Sequence, residues 1–169
     1  TGYVKSIVGG RSQDYNGYTI NRAYKSYRQP GSSIKPLLVY TPILERDYTP
    51  DSKVVDEPIE DGPSNSDGSY AGTMTLRRAV ELSKNTVAWR LLEEMTPEVG
   101  LSYLEKMNFA KLDENDKRPA IALGGFTNGV SPLEMAAGYA AIENDGYYRE
   151  PTCILTVSYT HLTLPTIRL

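Results

Sequence analysis

Arg28-Gln29-Pro30-Gly31-Ser32-Ser33-Ile34-Lys35-Pro36 is the stretch on which the fold and the chemistry of this 169-residue chain depend. Pro30 and Gly31 end any secondary structure that precedes them, and the serines that follow are suited to beginning a helix. Positions i and i+3 of a helix lie on the same face, one turn apart. The spacing therefore predicts that Ser32 and Lys35 point the same way at the start of a helix, a geometry that suits a serine nucleophile with an amine base.

The helix that begins at Ser32 is predicted to continue to about Glu45. Apolar side chains recur along one face and would bury it in the core, namely Ile34, Leu37, Leu38, Ile43 and Leu44. Pro36 fits this placement, because the backbone N–H groups of a first helical turn have no acceptor inside the helix.

The composition is that of an ordinary globular domain, with 40% hydrophobic and 23% charged residues. The net charge of −3 provides no general attraction for nucleic acid, so we expect no nucleic-acid partner. No run of about 18 apolar residues occurs, so no segment of this sequence is predicted to span a membrane. Cys153 is the only cysteine, which excludes an intrachain disulfide and a thiolate metal cluster. We expect neither a metal nor a cofactor.

Two segments near the N terminus predict a β-hairpin. Tyr3 to Val8 is rich in β-forming residues and is followed by Gly9-Gly10, and Tyr18 to Ala23 has the composition of a returning strand. Asp47 to Gly72 is rich in proline and glycine and is predicted to be one long irregular segment. Loops of this length inside a compact domain are often functional.

The rest of the domain is predicted to be helical. Thr75 to Met95 has the strongest i+3/i+4 apolar spacing, although Ser83-Lys84-Asn85 inside it leaves open whether one helix runs through or two meet at Asn85. Pro97 begins a helix that extends to about Asn108. Ser131-Pro132-Leu133-Glu134 has the pattern of a capping box and begins a helix that ends near Asn144.

The C-terminal residues have a different character. Val157-Ser158-Tyr159-Thr160-His161-Leu162-Thr163-Leu164-Pro165-Thr166 resembles the translation of a sequencing adapter, so we expect the native sequence to end near Thr156. The predicted division is a partial domain at 1–156 and a non-native tail at 157–169. The only histidine, His161, is then not native and should not be built into a Ser–His–Asp triad. A genuine β-strand in the tail is the alternative.

The Ser-x-x-Lys motif is weak alone, because roughly one match is expected by chance in a chain of this length. Without further motifs, Ser32 would be an ordinary helix N-cap. Here Ser83-x-Asn85 follows about 50 residues later, inside a helical segment. This order of motifs is the one expected for penicillin-recognising serine enzymes.

Several stretches together resemble the transpeptidase domain of class A penicillin-binding proteins. Residues 28–36 are similar to the nucleophile motif of that family, and Ser83-Lys84-Asn85-Thr86-Val87-Ala88 is similar to its second motif. Gly2–Gly10, Tyr70–Ala79 and the block from Leu123 to Gly146 resemble further stretches. The resemblance covers about Gly2 to Pro151 and implies an α/β fold of the penicillin-binding transpeptidase and serine β-lactamase-like type.

The third motif of that family does not occur in this sequence. It is a Lys-Thr/Ser-Gly sequence on a strand that lines the cleft, and no lysine here is followed by Thr/Ser-Gly. We therefore expect an incomplete domain, with the N-terminal hairpin and the mainly helical part present and later strands of the sheet missing. We expect such a fragment to have little or no activity.

The resemblance implies that Ser32 is the nucleophile of acyl transfer on peptidoglycan stem peptides ending in D-Ala-D-Ala, and that β-lactam antibiotics acylate it stably. Lys35 would be the base, provided that its amine is neutral. Ser83 would relay a proton toward the leaving amine, and Asn85 would hydrogen-bond Lys35 and the substrate. The resemblance also implies a membrane-anchored bacterial parent protein with this domain and a glycosyltransferase domain on the extracytoplasmic face.

Two other functions stay open at this point. A serine β-lactamase shares the motifs but hydrolyses its acyl-enzyme rapidly. The Gln29-Pro30-Gly31 lead-in and the long Asp47–Gly72 segment argue against it. A non-catalytic module that binds penicillin or wall peptide without turnover is the second alternative.

Overall fold

The fold is built around one buried helical segment, which starts within the stretch quoted above. The structure is a computed structural model that describes residues 2–11, 17 and 19–154. In chain order its helices and strands are α1 (Arg22–Lys25), α2 (31–44), β1 (Lys53–Asp56), β2 (Gly72–Thr75), α3 (Leu76–Glu81), α4 (Asn85–Met95), α5 (Pro97–Lys106) and α6 (Pro132–Glu143), with 3-10 turns at Glu114–Asp116 and Pro119–Leu123.

Helix α2 confirms the helix predicted from Ser32 to about Glu45, but it is irregular. It opens as a 3-10 turn at Gly31–Ile34, widens to a π-helix at Pro36–Tyr40 and ends as an α-helix at Thr41–Leu44. Pro36 and Pro42 have no N–H to donate, so a regular ladder of hydrogen bonds cannot form through them.

The hydrophobic core surrounds α2. Ile34, Leu38 and Val39 are fully buried, and α4, α5 and the Pro119–Leu123 turn pack around the segment. A Cβ on Gly100 of α5 would come within 2.7 Å of the Leu38 carbonyl oxygen, so the two backbones approach closely. This burial holds the start of α2, with Ser32 and Lys35, in a fixed place.

Strands β1 and β2 form a two-stranded antiparallel sheet in which Lys53 lies opposite Thr75 and Asp56 opposite Gly72. Val54 and Met74 are paired and buried. The prediction that Asp47 to Gly72 is irregular throughout is therefore wrong at β1. Two adjacent valines are too short a signal for a strand, and β1 exists because β2 supplies its hydrogen-bond partners.

The segment from Thr75 to Met95 contains two helices rather than one. Helix α3 ends before Ser83, which has a left-handed φ of 52°, and Lys84 is extended. Helix α4 then begins at Asn85, as one of the two alternatives predicted. Helices α5 and α6 are confirmed, and α6 has the predicted reciprocal capping box between Ser131 and Glu134.

The N-terminal hairpin is not formed by the residues that the structure describes. Tyr3 makes an isolated parallel bridge with Thr152, and Arg22–Lys25 form α1 instead of a returning strand. The Asn21 side chain accepts a hydrogen bond from the Ala23 N–H and thereby caps α1, which competes with an extended conformation. Among the described residues, a single backbone hydrogen bond, from the Arg22 N–H to the Gly9 carbonyl, links the two stretches predicted to pair.

In the ranges 2–11 and 19–154, no helix combines the length and the hydrophobicity that crossing a membrane requires. The predicted tail 157–169, with His161, lies outside the described residues.

Candidate active site

The amine of Lys35 is the centre of a buried polar cluster at the start of α2. Lys35 is only 1% exposed. Its amine donates hydrogen bonds to the Ser83 carbonyl oxygen at 2.7 Å and to Asn85 Oδ1 at 2.7 Å, with Ser83 Oγ at 3.1 Å. The structure thus brings together three of the four residues singled out by the sequence motifs.

Burial makes the neutral form of this amine accessible. It lowers the pKa of Lys35 from 10.5 to about 8, because a charge is disfavoured away from water. A neutral amine has two hydrogens and one lone pair, and the two carbonyl oxygens of Ser83 and Asn85 accept both hydrogens. The lone pair is then left for a hydroxyl proton. A protonated Lys35 has a third hydrogen, for which Ser83 Oγ is a suitable acceptor.

Ser32 lies in the opening turn of α2, three residues before Lys35. Ser32 is exposed whereas Lys35 is buried, and the Lys35 backbone N–H donates to the Ser32 carbonyl oxygen. Within the part of the chain that the structure describes, the Lys35 amine bonds to Ser83 and Asn85 and not to the Ser32 hydroxyl. Catalytic hydrogen bonds of this kind often form only when substrate binds.

A tight turn between α3 and α4 presents Ser83 to Lys35. The left-handed conformation of Ser83, with a φ of 52°, costs a residue with a side chain roughly 1–2 kcal/mol. The Ser83 N–H donates to the Val80 carbonyl at 3.0 Å and the Lys84 N–H to the Ala79 carbonyl at 3.0 Å, which closes the turn. As a result, the carbonyl and the hydroxyl of Ser83 both face the same amine.

The side-chain amide of Asn85 is held at both ends. Its Nδ2 donates to the Ser64 carbonyl at 2.9 Å while its Oδ1 accepts from Lys35. Its backbone N–H donates to Asn65 Oδ1 at 2.8 Å. The N-cap of α4, Lys84, has no side-chain capping bond, so Asn65 supplies the cap from the long segment between β1 and β2.

Three buried polar residues of this cluster are missing from the sequence-based prediction. Asp56, Asn65 and Lys84 are 0%, 4% and 2% exposed, respectively. Asp56 ends a strand that the sequence does not reveal, and Lys84 occupies the unspecified position of Ser-x-Asn. The one sequence feature that could have predicted this ion pair was Lys84 inside the second motif together with acidic residues such as Asp56 in the long segment before it.

A second segment fixes the stretch that leads into Ser32. Gln29 Nε2 donates to the Phe126 carbonyl, and the Phe126 N–H donates back to Gln29 Oε1 at 2.8 Å. Arg28 and Val130 form an antiparallel bridge. Gly124 has a φ of +86° and lies against Gly31. A Cβ on Gly124 would come within 2.4 Å of the Gly31 nitrogen. These contacts hold the start of α2 against the 124–130 segment.

A comparison with protein families places nearly the whole chain. Residues 1–166 match the family described as the penicillin binding protein transpeptidase domain. The chain belongs to this family. The family predicted from residues 28–36 and Ser83–Ala88 is confirmed.

Relatives of this transpeptidase domain are penicillin-binding proteins. Penicillin-binding protein 4 of Bacillus subtilis is 40% identical over 162 residues, which cover 94% of this chain and 26% of that protein. Penicillin-binding protein 1A of Neisseria flavescens is 38% identical over 157 residues, which cover 87% of this chain and 19% of that protein. The chain thus spans about a quarter or less of the length of these relatives.

Solved structures confirm the fold of this transpeptidase domain. Penicillin-binding protein 1A from Haemophilus influenzae aligns with a TM-score of 0.69 at 35% identity, over 78% of this chain and 20% of that one. PonA1 from Mycobacterium tuberculosis, solved in complex with penicillin V, aligns with a TM-score of 0.69 at 25% identity, over 80% of this chain and 39% of that one. The predicted α/β fold of the penicillin-binding transpeptidase type is therefore confirmed, apart from the N-terminal hairpin.

Proposed function

We propose that this chain carries the acylation centre of a peptidoglycan D,D-transpeptidase, with Ser32 as the nucleophile and Lys35 as its base. The observation that carries the proposal is the buried Lys35 amine, whose two hydrogens in the neutral state are taken by the Ser83 carbonyl and Asn85 Oδ1. The free lone pair of such an amine suits it to take a proton from a serine hydroxyl one turn away.

In this mechanism Ser32 Oγ attacks the carbonyl carbon between the two terminal D-alanines of a stem peptide. The hydroxyl proton passes to Lys35, and the Ser32 backbone N–H stabilises the developing oxyanion as one of two donors. The C–N bond then breaks, and the departing D-alanine receives the proton from Lys35 through Ser83 Oγ. An amine of a second stem peptide then attacks the ester carbonyl carbon, and the bond to Ser32 Oγ breaks. The amine loses a proton and Ser32 Oγ gains one, which completes the cross-link and restores the Ser32 hydroxyl. Asn85 orients Lys35 and the substrate amide.

Relatives support this substrate class and the binding of β-lactams. A structure from Eggerthella lenta, 26% identical with a TM-score of 0.60, is a D,D-transpeptidase domain of a peptidoglycan glycosyltransferase. PonA1 binds penicillin V. We propose that the partners of this chain are stem peptides ending in D-Ala-D-Ala and β-lactam antibiotics. Its parent would be a bacterial membrane-anchored protein that also has a glycosyltransferase domain and works on the extracytoplasmic face.

We further propose that the 169 residues alone acylate slowly or not at all. No Lys-Thr/Ser-Gly motif occurs among them, and in the family that motif lies on a strand that lines the cleft. The decisive measurement therefore uses the protein expressed at its full encoded length, with this 169-residue chain tested beside it.

The test is labelling with a fluorescent penicillin, followed by mass spectrometric mapping of the adduct. We expect stable label on Ser32 that Ser32→Ala abolishes. Ser33→Ala is the matched control, because the neighbouring Ser33 hydroxyl bonds to the Pro30 carbonyl instead and should be dispensable. Label that is lost within minutes by hydrolysis would favour a β-lactamase. Binding without a covalent adduct would favour a non-catalytic module.

A further inference from the structure

Lys84 lies between Ser83 and Asn85, but it has no role in the acyl transfer proposed above. Its amine is enclosed by five oxygens: Asp56 Oδ2 at 3.2 Å, Asp67 Oδ2 at 3.1 Å and Oδ1 at 3.4 Å, the Ser69 carbonyl at 3.0 Å and Ser69 Oγ at 3.1 Å. A lysine that is only 2% exposed is uncommon unless it is paired in this way. Lys84 therefore ties the 67–69 segment and the end of β1 to the turn that carries Ser83.

Asp56 is the buried anion of this arrangement. Besides Lys84, its carboxylate accepts hydrogen bonds from Thr86 Oγ1 at 2.5 Å, Asn65 Nδ2 at 2.6 Å and the Ala71 N–H at 3.0 Å. Burial alone would raise the pKa of Asp56, but the bonds from Thr86, Asn65, Ala71 and Lys84 outweigh it and lower the pKa below its ordinary value. Asp56 is thus a charged acceptor whose donors come from the second motif itself and from the segment between β1 and β2.

Asn65 links Asp56 to the start of α4, which carries Asn85. One end of its amide donates to Asp56 and to the Ser69 carbonyl. The other end accepts from the backbone N–H groups of Asn85 at 2.8 Å and Thr86 at 3.3 Å. The orientation of Asn65 therefore decides where α4 begins, and with it where Asn85 Oδ1 meets Lys35.

We infer that Asn65, oriented by the buried Asp56–Lys84 ion pair, is a positioning residue for the acylation of Ser32. It holds Asn85 against the Lys35 amine without touching the reacting atoms. The inference rests on the proposed function, because the consequence of misplacing Asn85 is a slower proton transfer from Ser32. Misplacing a catalytic group by about 1 Å can lower a rate by about 100-fold.

The kinetic test uses the full-length protein and a fluorescent penicillin, with rates measured over a range of penicillin concentrations. We expect Asn65→Ala to lower the maximal acylation rate constant by about 10–100-fold and to leave the apparent dissociation constant within about threefold. Asp67→Asn is the matched control. It removes the charge of the other, half-exposed partner of Lys84. The described hydrogen bonds of Asp67 go to Ser69 and Lys84 rather than to Asp56, Asn65 or Asn85, so both constants should stay within about threefold.

A second variant keeps the test decisive if Asn65→Ala does not fold. Thr86→Val preserves the shape of the side chain and removes only its hydrogen bond to Asp56. We expect a smaller fall in the acylation rate constant with a native thermal unfolding curve at the assay temperature. A fall that merely follows the fraction of unfolded protein, or wild-type rates in both variants, would overturn the inference.

Hydrogen exchange separates this inference from the proposed function. In Asn65→Ala the amides of Asn85 and Thr86 should exchange at least tenfold faster, while those of α5 and α6 stay unchanged. If the wild-type protein is not labelled on Ser32, the proposed function fails, and the exchange result still decides whether Asn65 holds the start of α4. Unchanged exchange at Asn85 and Thr86 would refute the positioning role whatever the labelling shows.

Discussion

Raising the pH from 6 to 8 should accelerate acylation of Ser32 by about fiftyfold, and raising it from 8 to 10 should add only about a factor of two. The prediction follows from the Lys35 amine, whose pKa burial lowers from 10.5 to about 8. If only the neutral amine takes the serine proton, the rate follows its fraction, which is about one in a hundred at pH 6 and about one half at pH 8.

The size of the effect comes from the burial of Lys35. A fall in pKa from 10.5 to about 8 corresponds to about 3 kcal/mol, because one pKa unit is about 1.4 kcal/mol. At pH 7 an ordinary lysine would be neutral in about one molecule in 3000, whereas Lys35 would be neutral in roughly one in ten. Burial thus increases the amount of available base by about 300-fold.

The assay is stopped-flow acylation of the full-length protein by a fluorescent penicillin between pH 6 and pH 10. Lys35→Arg should abolish acylation throughout, because a guanidinium is not deprotonated in this range. Lys25→Arg, at an exposed lysine outside the site, should leave the profile unchanged. A rate that is flat from pH 6 to 8 would show that Lys35 is not the titrating base. A tenfold rise per pH unit that continues to pH 10 would show that its pKa is not lowered.

Three further predictions concern stability and are measured by chemical denaturation of the folded protein. Tyr40→Phe should leave the free energy of unfolding unchanged or raise it by up to about 1 kcal/mol, because the buried Tyr40 hydroxyl has no hydrogen-bond partner among the described residues; a loss above about 1 kcal/mol would contradict this. Gly124→Ala should cost more than about 2 kcal/mol, since its Cβ would come within 2.4 Å of the Gly31 nitrogen. Gly146→Ala, at a similar φ of +82° with open space around it, should cost only about 1 kcal/mol; equal losses would exclude the clash. Ser131→Ala should cost about 1 kcal/mol through the lost N-cap of α6, and an unchanged stability would show that the cap contributes nothing.

Helices were predictable from the sequence where local signals agree with the tertiary environment. The apolar face of α2 and the Ser131–Glu134 capping box predict their helices because each carries its own start signal and its own buried side. Strand β1 was not predictable, because two valines have no strand character until β2 pairs with them. The prediction of an N-terminal hairpin was wrong because the local β signal does not name the partner strand. Tyr3, in the β-rich Tyr3–Val8 segment, bridges to Thr152, far along the chain.

The sequence predicts some neighbours within the candidate site but not all of them. Ser32 and Lys35 share one helix, so their spacing alone predicts that they are neighbours. Ser83 and Asn85 were predictable only as a motif, because nothing local shows that Ser83 adopts the left-handed conformation that turns its carbonyl and hydroxyl toward Lys35.

The buried Asp56–Lys84 pair also needs an explanation other than stability. Continuum electrostatic calculations and mutational experiments on other proteins indicate that a buried ion pair adds little stability compared with apolar residues of the same volume. Two apolar side chains in these positions would fill the space, but they would remove one of the two acceptors of Asn65 Nδ2 and leave only the Ser69 carbonyl. A carboxylate that accepts from Asn65, Ala71 and Thr86 at once fixes that amide in one orientation. The ion pair is therefore better explained by the direction it imposes on Asn65, and through it on Asn85, than by the energy it adds to the fold.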